Sequence, residues 1–262
     1  MTEAEYAEQL ARLGEKIHFH DGVWWLSPRL GYSRPAWRTK QLNNPQTKPK
    51  LSHAFLGYGY CTTSEFGNQT SYKVMHRPIG RLDEFSIDLF SANRRSKIRR
   101  GLKRLEILTA VDPEPYLNQM VEIVKSARKR TGAGRPIEYY EKNHELWKHT
   151  IRSIATMKDN FFFVALKNNE AIAYYHCVLV DKTMSVTAAK SHSHFLKDYP
   201  NDALIFTAME FAHRQNCCTD LFFGDFSISD EKLNQFKFGY GFECQEIPQF
   251  QKLNPLLKLI KR

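Results

Sequence analysis

Three groups of residues in this 262-residue chain carry chemistry by type and spacing. Asn93 to Arg104 (NRRSKIRRGLKR) holds Arg94, Arg95, Lys97, Arg99, Arg100, Lys103 and Arg104 with no acid among them. Such a run either faces solvent or meets phosphates, the backbone of tRNA or a nucleotide diphosphate being anions of the right kind. Tyr174, Tyr175 and His176 alternate on a strand-like segment, so Tyr174 and His176 share one face; one face lines a pocket and the other is core, Tyr174 and His176 are the named candidates, and alternation alone does not say which face it is. Asp225 closes a short apolar strand, where a carboxylate can accept a proton or orient an amine, or can simply cap a turn. His192 and His194 form an HxH pair, but no HExxH or carboxylate companion stands near it, so no metal is expected. No GxSxG elbow, phosphate-binding Walker loop or paired glycosidase carboxylates occur.

The elements that position these residues follow from periodicity. In the basic run Ile98, Leu102 and Leu105 recur at i, i+4 and i+7, which predicts a helix with one buried stripe and cations on the remaining faces. Helices are predicted for residues 113–130 and 137–157, broken by Thr131-Gly132-Ala133-Gly134. Strands follow at 161–166, 171–180 and 184–189, joined by turns at Asn168-Asn169 and Asp181-Lys182. Pro200 opens a helix to about Arg214, and a strand at 221–223, a short helix at 231–238 and a last strand at 242–247 complete the order. A strand at 106–111 precedes the first of these helices. Upstream, residues 2–16 read as a helix, 17–27 as two strands around Asp21-Gly22, 28–53 as a long proline-containing loop, and 54–61 and 71–75 as strands. The fold class is α/β (α+β): a mixed, largely antiparallel sheet flanked by helices. It spans 91–250, behind a reduced β-rich subdomain over 1–90 and ahead of a basic tail over 251–262.

Composition narrows the class. Hydrophobic residues make up 42% and charged residues 25%, which excludes a disordered or collagen-like chain. The net charge of +10 favours an anionic partner. Five cysteines without CxxC spacing read as reduced thiols rather than a disulfide framework or zinc site. Residues 2–16 are too acidic for a secretory signal, and no apolar run nears the ~20 residues of a membrane span, so a cytoplasmic protein without stable membrane insertion is expected. The tail at 256–262 is basic and amphipathic but too short to act as an anchor.

The basic run, the Tyr174-Tyr175 hairpin, a proline before a helix, the FFGDF strand end at 222–226 and the Phe236-Lys237-x-x-x-Gly241-Phe242 pattern together resemble the closing half of the Fem-type aminoacyl/peptidyl transferases, a branch of the GNAT acyltransferase superfamily. The match covers roughly residues 90–247. The resemblance implies a bacterial acyltransferase that moves an acyl or aminoacyl group onto an amine of a nucleotide-sugar, cell-envelope or polysaccharide precursor. No cofactor would be bound permanently, and aminoacyl-tRNA or acyl-CoA would serve as anionic co-substrate. It places Lys237 at the acyl-transfer site as oxyanion stabiliser, with Phe236 shaping the pocket and Asp225 beside it. Arg94, Arg95, Arg99 and Arg100 would contact the substrate's phosphates, and Tyr174 and His176 would line its pocket. Two other functions remain open: a coenzyme A-dependent N-acetyltransferase, and a non-catalytic RNA- or anion-binding module on the same fold. The segment from Ser191 to Pro200 has none of the glycines that hold coenzyme A's pyrophosphate in many GNAT enzymes, which weighs toward aminoacyl-tRNA.

Overall fold

The computed structural model describes residues 1–27, 31–63, 70–79, 84–215 and 218–254. The chain runs α1 (Glu3–Arg12), β1 (Ile17–His20), β2 (Val23–Leu26), β3 (Tyr32–Pro35), β4 (Gly57–Cys61), β5 (Thr70–Pro78), α2 (Ala92–Arg104) and β6 (Glu106–Leu108). It continues through α3 (Leu117–Thr131), α4 (Ile137–Lys142), α5 (His144–Ala155), β7 (Asn160–Lys167), β8 (Glu170–Val180) and β9 (Thr183–Ser191). Last come α6 (Pro200–Arg214), β10 (Asp220–Asp225), α7 (Glu231–Phe238) and β11 (Glu243–Leu253).

Two compact units emerge, one from Met1–Val74 with the chain from Cys244 onward, the other Met75–Glu243. The expected division at 90/91 therefore falls inside the second unit. The first unit orders its strands β1-β2-β3-β4-β11. All these neighbours are antiparallel except β3 and β4, which run parallel. Its core is aromatic, with Trp25 wholly buried among Tyr58, Tyr60 and Phe250. The loop expected over 28–53 contains β3, whose polar Tyr-Ser-Arg-Pro sequence gives no strand signal. The last strand, expected to end at 247, runs on through Pro248 to Leu253.

The second unit carries the site. β6, β7, β8 and β9 form an antiparallel meander, and β10 adds in parallel beside β9. The turns are local chemistry: Asn168 and Asn169 both adopt positive φ (53° and 65°), as a two-residue hairpin requires, and asparagine tolerates it. α2 and α6 cover one face around Ile98, Leu204, Ile205 and Met209; α3, α4 and α5 cover the other around Met120, Ile123 and Tyr140. Each such buried side chain contributes about 1.5–3 kcal/mol, so both faces of β8 are committed to packing. The helix expected over 137–157 is broken at Asn143, where φ is −123°. Gly101 of α2 meets α6 so closely that a Cβ there would lie 2.8 Å from the Tyr199 carbonyl oxygen and 3.0 Å from Ala203 Cβ. Only glycine permits that approach.

Candidate active site

The site opens where β9 and β10 part. Their parallel pairing runs from Thr183–Asp220 to Ser185–Phe222 and stops. At that level β9 carries an extra residue: the β8 ladder passes from Cys177–Val186 to His176–Ala188, leaving Thr187 bulged out. A bulge of this kind bends its strand and raises the local twist. On the other side Gly224, at φ +65°, turns the end of β10. Between the two strands lies a cavity of about 450 Å³ that Tyr175, Thr187, Phe223, Phe236 and Lys237 help to line.

Lys237 is placed there by α7, and α7 by a tight preceding loop. The Asp230 carboxylate caps the helix by accepting from the Leu233 amide at 3.0 Å. Asn234, wholly buried, accepts from the Ser227 amide at 2.9 Å and donates to its carbonyl at 2.6 Å. One turn further on, Lys237 is 3% exposed. Its Nζ donates to the main-chain carbonyl of Asp225 at 2.7 Å and lies 5.3 Å from the centre of the Phe223 ring. Burial pulls its pKa down to about 8, with Asp225 and Asp230 opposing the shift. At neutral pH the side chain is still an ammonium, but one held in a dry site, where a charged donor acts most strongly on a developing negative charge.

The other expected residues are distributed around this centre unevenly. The Asp225 side chain is exposed, and the part of Asp225 that touches the site is its carbonyl oxygen. Phe236 lines the cavity and packs on Tyr240 at 5.0 Å. Arg94 turns inward: it lies 5.1 Å from both of those rings, reaches Asp202 of α6 at 3.3 Å, and donates to the Gln235 carbonyl at 3.1 Å. Tyr240 donates to the same Asp202 oxygen at 2.8 Å, and burial followed by that carboxylate pushes its pKa well up. Arg94 thereby ties α2, α6 and α7 together.

On β8 the structure selects the residue between the two expected ones. Tyr175 faces the cavity, while Tyr174 packs into the α3 core, where burial raises its pKa. His176 stacks on Phe162 at 4.6 Å, and burial holds its pKa down to about 4, so it is neutral. Asn160, whose Nδ2 donates to the Lys158 carbonyl, presents its oxygen to His176 Nε2 at 2.9 Å. This assigns the proton to Nε2 and leaves Nδ1 to accept from the Thr187 hydroxyl at 2.6 Å. Thr187, an unpaired bulge residue invisible to strand periodicity, is thus a cavity residue that sequence reasoning missed, and His176 reaches the cavity only through it.

The basic helix divides in a similar way. Arg95 donates to the Phe90 carbonyl at 2.8 Å, Arg100 to the Tyr199 hydroxyl at 3.3 Å, and Arg104 to the Lys197 carbonyl at 2.8 Å. Arg99 is exposed, 3.8 Å from Asp88. Arg95, Ser96, Arg99, Arg100 and Lys103 line a shallow depression of about 360 Å³. The Ser191–Pro200 segment forms a 3₁₀ helix over Ser193–Asp198, in which His192 accepts from the His194 amide at 3.3 Å. Among the described residues no group of three His, Cys, Asp or Glu side chains gathers to hold a metal, and no helix is long and apolar enough to cross a membrane. Of the tail expected over 251–262, residues 251–253 are the end of β11, while residues 255–262, together with Cys217, lie outside the described residues.

No family model and no curated protein matches the sequence. Solved structures match the fold over nearly its whole length. The crystal structure of FemX superposes with a TM-score of 0.66 at 16% identity, covering 98% of this chain and 93% of that one. The C-terminal domain of a protein described as a putative lysylphosphatidylglycerol synthetase from Agrobacterium fabrum gives 0.60 at 9% identity, covering 99% and 95%. L-PGS from Bacillus licheniformis gives 0.60 at 13%, covering 98% and 94%. The fold is GNAT-like and of the Fem type.

Proposed function

We propose that this protein is an acyltransferase that moves an acyl or aminoacyl group onto an amine of a cell-envelope or polysaccharide precursor, with Lys237 at the reacting centre. The observation that carries the reading is the buried Lys237 ammonium at the parting of β9 and β10, where a carbonyl and a ring hold it but, among the described residues, no carboxylate pairs with it. Attack of an amine on the donor's carbonyl carbon builds a tetrahedral intermediate with an oxyanion. As the intermediate collapses the C–O or C–S bond to the donor breaks, the proton of the attacking amine passes to the departing oxygen or sulfur, and an amide and a free hydroxyl or thiol remain. A fixed ammonium next to that oxyanion meets charge absent from the ground state, so it lowers the barrier rather than tightening substrate binding. Asp225 acts through its carbonyl, which orients Nζ; Phe236 and Phe223 keep the centre dry. The exposed face of α2, with Arg99, Arg100 and Lys103, supplies phosphate contacts to the donor. That donor is an aminoacyl-tRNA, in keeping with the glycine-free segment before α6 and with the fold neighbours, one of which is described as a lysylphosphatidylglycerol synthetase.

The test offers labelled aminoacyl-tRNAs and acetyl-CoA as donors, with nucleotide-sugar and envelope precursors as amine acceptors. Transfer from aminoacyl-tRNA is expected, and Lys237→Met should lower kcat by about a hundredfold or more with KM little changed. Transfer from acetyl-CoA alone would replace the donor. Equal turnover by the Met variant would remove Lys237 from the reaction.

A further inference from the structure

Acyl transfer asks two things of the cavity: a donor for the oxyanion and an acceptor that aims the amine. Lys237 answers the first. Acceptors are scarce, because the charged lining is mostly Arg130, Lys190 and Lys237, and ammonium and guanidinium groups have no acceptor atom. Their charge also disfavours a second ammonium, so an amine enters neutral, with N–H groups to donate and one lone pair to attack with. Asp230, a carboxylate of the lining, is engaged by the Leu233 amide at the cap of α7. Ser191 also lines the cavity, but it is 1% exposed and its hydroxyl donates to Asn201 at 2.5 Å. Thr187 differs from both. It stands at the β9 bulge, where an extra residue re-aims a side chain, and it is exposed at the cavity. Its hydroxyl has two acceptors behind it, His176 Nδ1 at 2.6 Å and the His176 main-chain carbonyl at 3.1 Å. Nδ1 is unprotonated because Nε2 carries the proton and donates it to Asn160 at 2.9 Å. Asn160 is oriented in turn by its own donation to the Lys158 carbonyl at 3.0 Å. A single hydroxyl proton directed inward leaves the oxygen's lone pairs to the cavity. The β-branched side chain has few χ1 states, which holds that direction.

We propose that Thr187 is a fixed hydrogen-bond acceptor for the N–H of the attacking amine, locked in that role by His176 and Asn160. This role rests on the acyltransferase reading. With one N–H held by Thr187 Oγ1 on β9, the amine turns its lone pair toward the donor's carbonyl carbon, whose oxygen lies at Lys237 on the β10–α7 side. Holding the nucleophile in one orientation removes entropy from the barrier before the reaction begins. His176 is not a base here. Burial holds its pKa down to about 4, so an imidazolium is disfavoured and the Thr187 hydroxyl keeps its proton. No covalent step passes through Thr187, and the amine's proton goes to the departing oxygen or sulfur. His176 and Asn160 are positioning residues that act only through the direction of the Thr187 hydroxyl.

Two measurements on the full chain test this, the first without turnover. In nitrogen NMR spectra of the histidine rings, His176, assigned by its loss in His176→Gln, should be the Nε2–H tautomer. Thr187→Val, an isosteric change at an exposed position, should move its Nδ1 resonance toward that of an unbonded nitrogen. An Nδ1–H tautomer, or an Nδ1 resonance indifferent to Thr187→Val, would overturn the fixed acceptor whatever the reaction is. The second measurement is turnover with an aminoacyl-tRNA donor and an amine-bearing nucleotide-sugar. Thr187→Val should lower kcat/KM for the amine by about tenfold or more, with the donor's KM within about twofold of wild type. Thr187→Ser keeps the hydroxyl and should retain at least about a third of the wild-type value. Asn160→Leu releases the tautomer and should cost about fivefold alone, yet add nothing to Thr187→Val, since both act through one hydrogen bond. Full activity in Thr187→Val, or losses in the two variants that multiply, would overturn the role. Lys237→Met separates the two proposals, because its loss should fall on kcat with both KM values little changed. Absence of transfer from every donor would sink the acyltransferase reading and the amine's place at Thr187 with it, while the tautomer would still decide whether Thr187 is a fixed acceptor.

Discussion

Arg94 and Lys237, both in the second unit, are withdrawn from water in opposite ways. At the junction of α2, α6 and α7, Arg94 meets the Asp202 carboxylate at 3.3 Å and lies between two aromatic rings, so its charge is neutralised and its shape is used as a tie. At the parting of β9 and β10, Lys237 is buried with a carbonyl and one ring for company. Among the described residues no carboxylate pairs with it directly, and burial lowers its pKa to about 8 against the opposing pull of Asp225 and Asp230. A paired buried cation holds structure together; an unpaired one stores electrostatic free energy that a substrate's developing anion can release. The exposed cations of α2 form a third category with little influence on stability.

The largest expected effect breaks the first member of that comparison. Arg94→Met would leave the buried Asp202 carboxylate with the Tyr240 hydroxyl but without its cation, and removal of one member of a buried pair costs about 3–5 kcal/mol. A drop of about 6–20 degrees in Tm is expected; a melt indistinguishable from wild type would show that the junction does not depend on the pair. Gly101→Val should cost on the order of 1–3 kcal/mol by driving a side chain into the Tyr199 carbonyl and Ala203, and denaturant melts would show it as a lower midpoint.

Lys237→Met should move stability the other way. The folded protein holds this lysine at a pKa of about 8 against 10.5 for an unperturbed side chain. Below pH 8 both states are protonated and the full cost of the buried charge is present; as pH rises from 8 toward 10.5 the folded state sheds its proton first and the cost fades. The Met variant should therefore be the more stable protein at pH 7, by about 2 kcal/mol once the missing hydrogen bond is offset. That advantage should shrink toward pH 10.5. A variant less stable than wild type at pH 7 would show that the hydrogen bond to Asp225 outweighs burial. The smallest effect on stability belongs to Arg99→Gln with Lys103→Gln, which should leave Tm unchanged. It should reduce the slope of log K for tRNA against log salt by about 0.7–0.9 for each phosphate that is no longer neutralised. An unchanged slope would return that face to plain solvated surface.

The same contrast explains what could be seen in the sequence. Hairpin turns, helix starts and the meander are written in local residue types, and Asn168-Asn169, Pro200 and Gly132 fall where the expected boundaries lie. β3 and the far half of β11 were hidden because Pro35 and Pro248 interrupt runs that tertiary pairing nonetheless completes. Of the cavity lining, Lys237 and Phe236 were singled out by the Phe236-Lys237 pattern and the family it resembles, and both line the cavity. Alternation on β8 separates Tyr175 from Tyr174 and His176, but helices cover both faces, so no polarity difference shows which side opens into the cavity. Thr187 was illegible because a bulge erases strand periodicity; Asp225 was named for its carboxylate, whereas it meets Lys237 through its main-chain carbonyl, which no side-chain reading shows. Arg94 and Arg99 look alike in NRRSKIRRGLKR; only packing against Asp202 and Phe236 separates a tie from an exposed cation.

The pH dependence of kcat tests the central claim most directly. If the Lys237 ammonium stabilises the oxyanion, turnover should fall above a pKa near 8 as the amine loses its proton. Lys237→Met should show no such limb at its residual rate, about a hundredfold or more below wild type. A wild-type profile that stays flat well above that pKa, or a Met variant that keeps the alkaline limb, would contradict the assignment of Lys237 to the reacting centre.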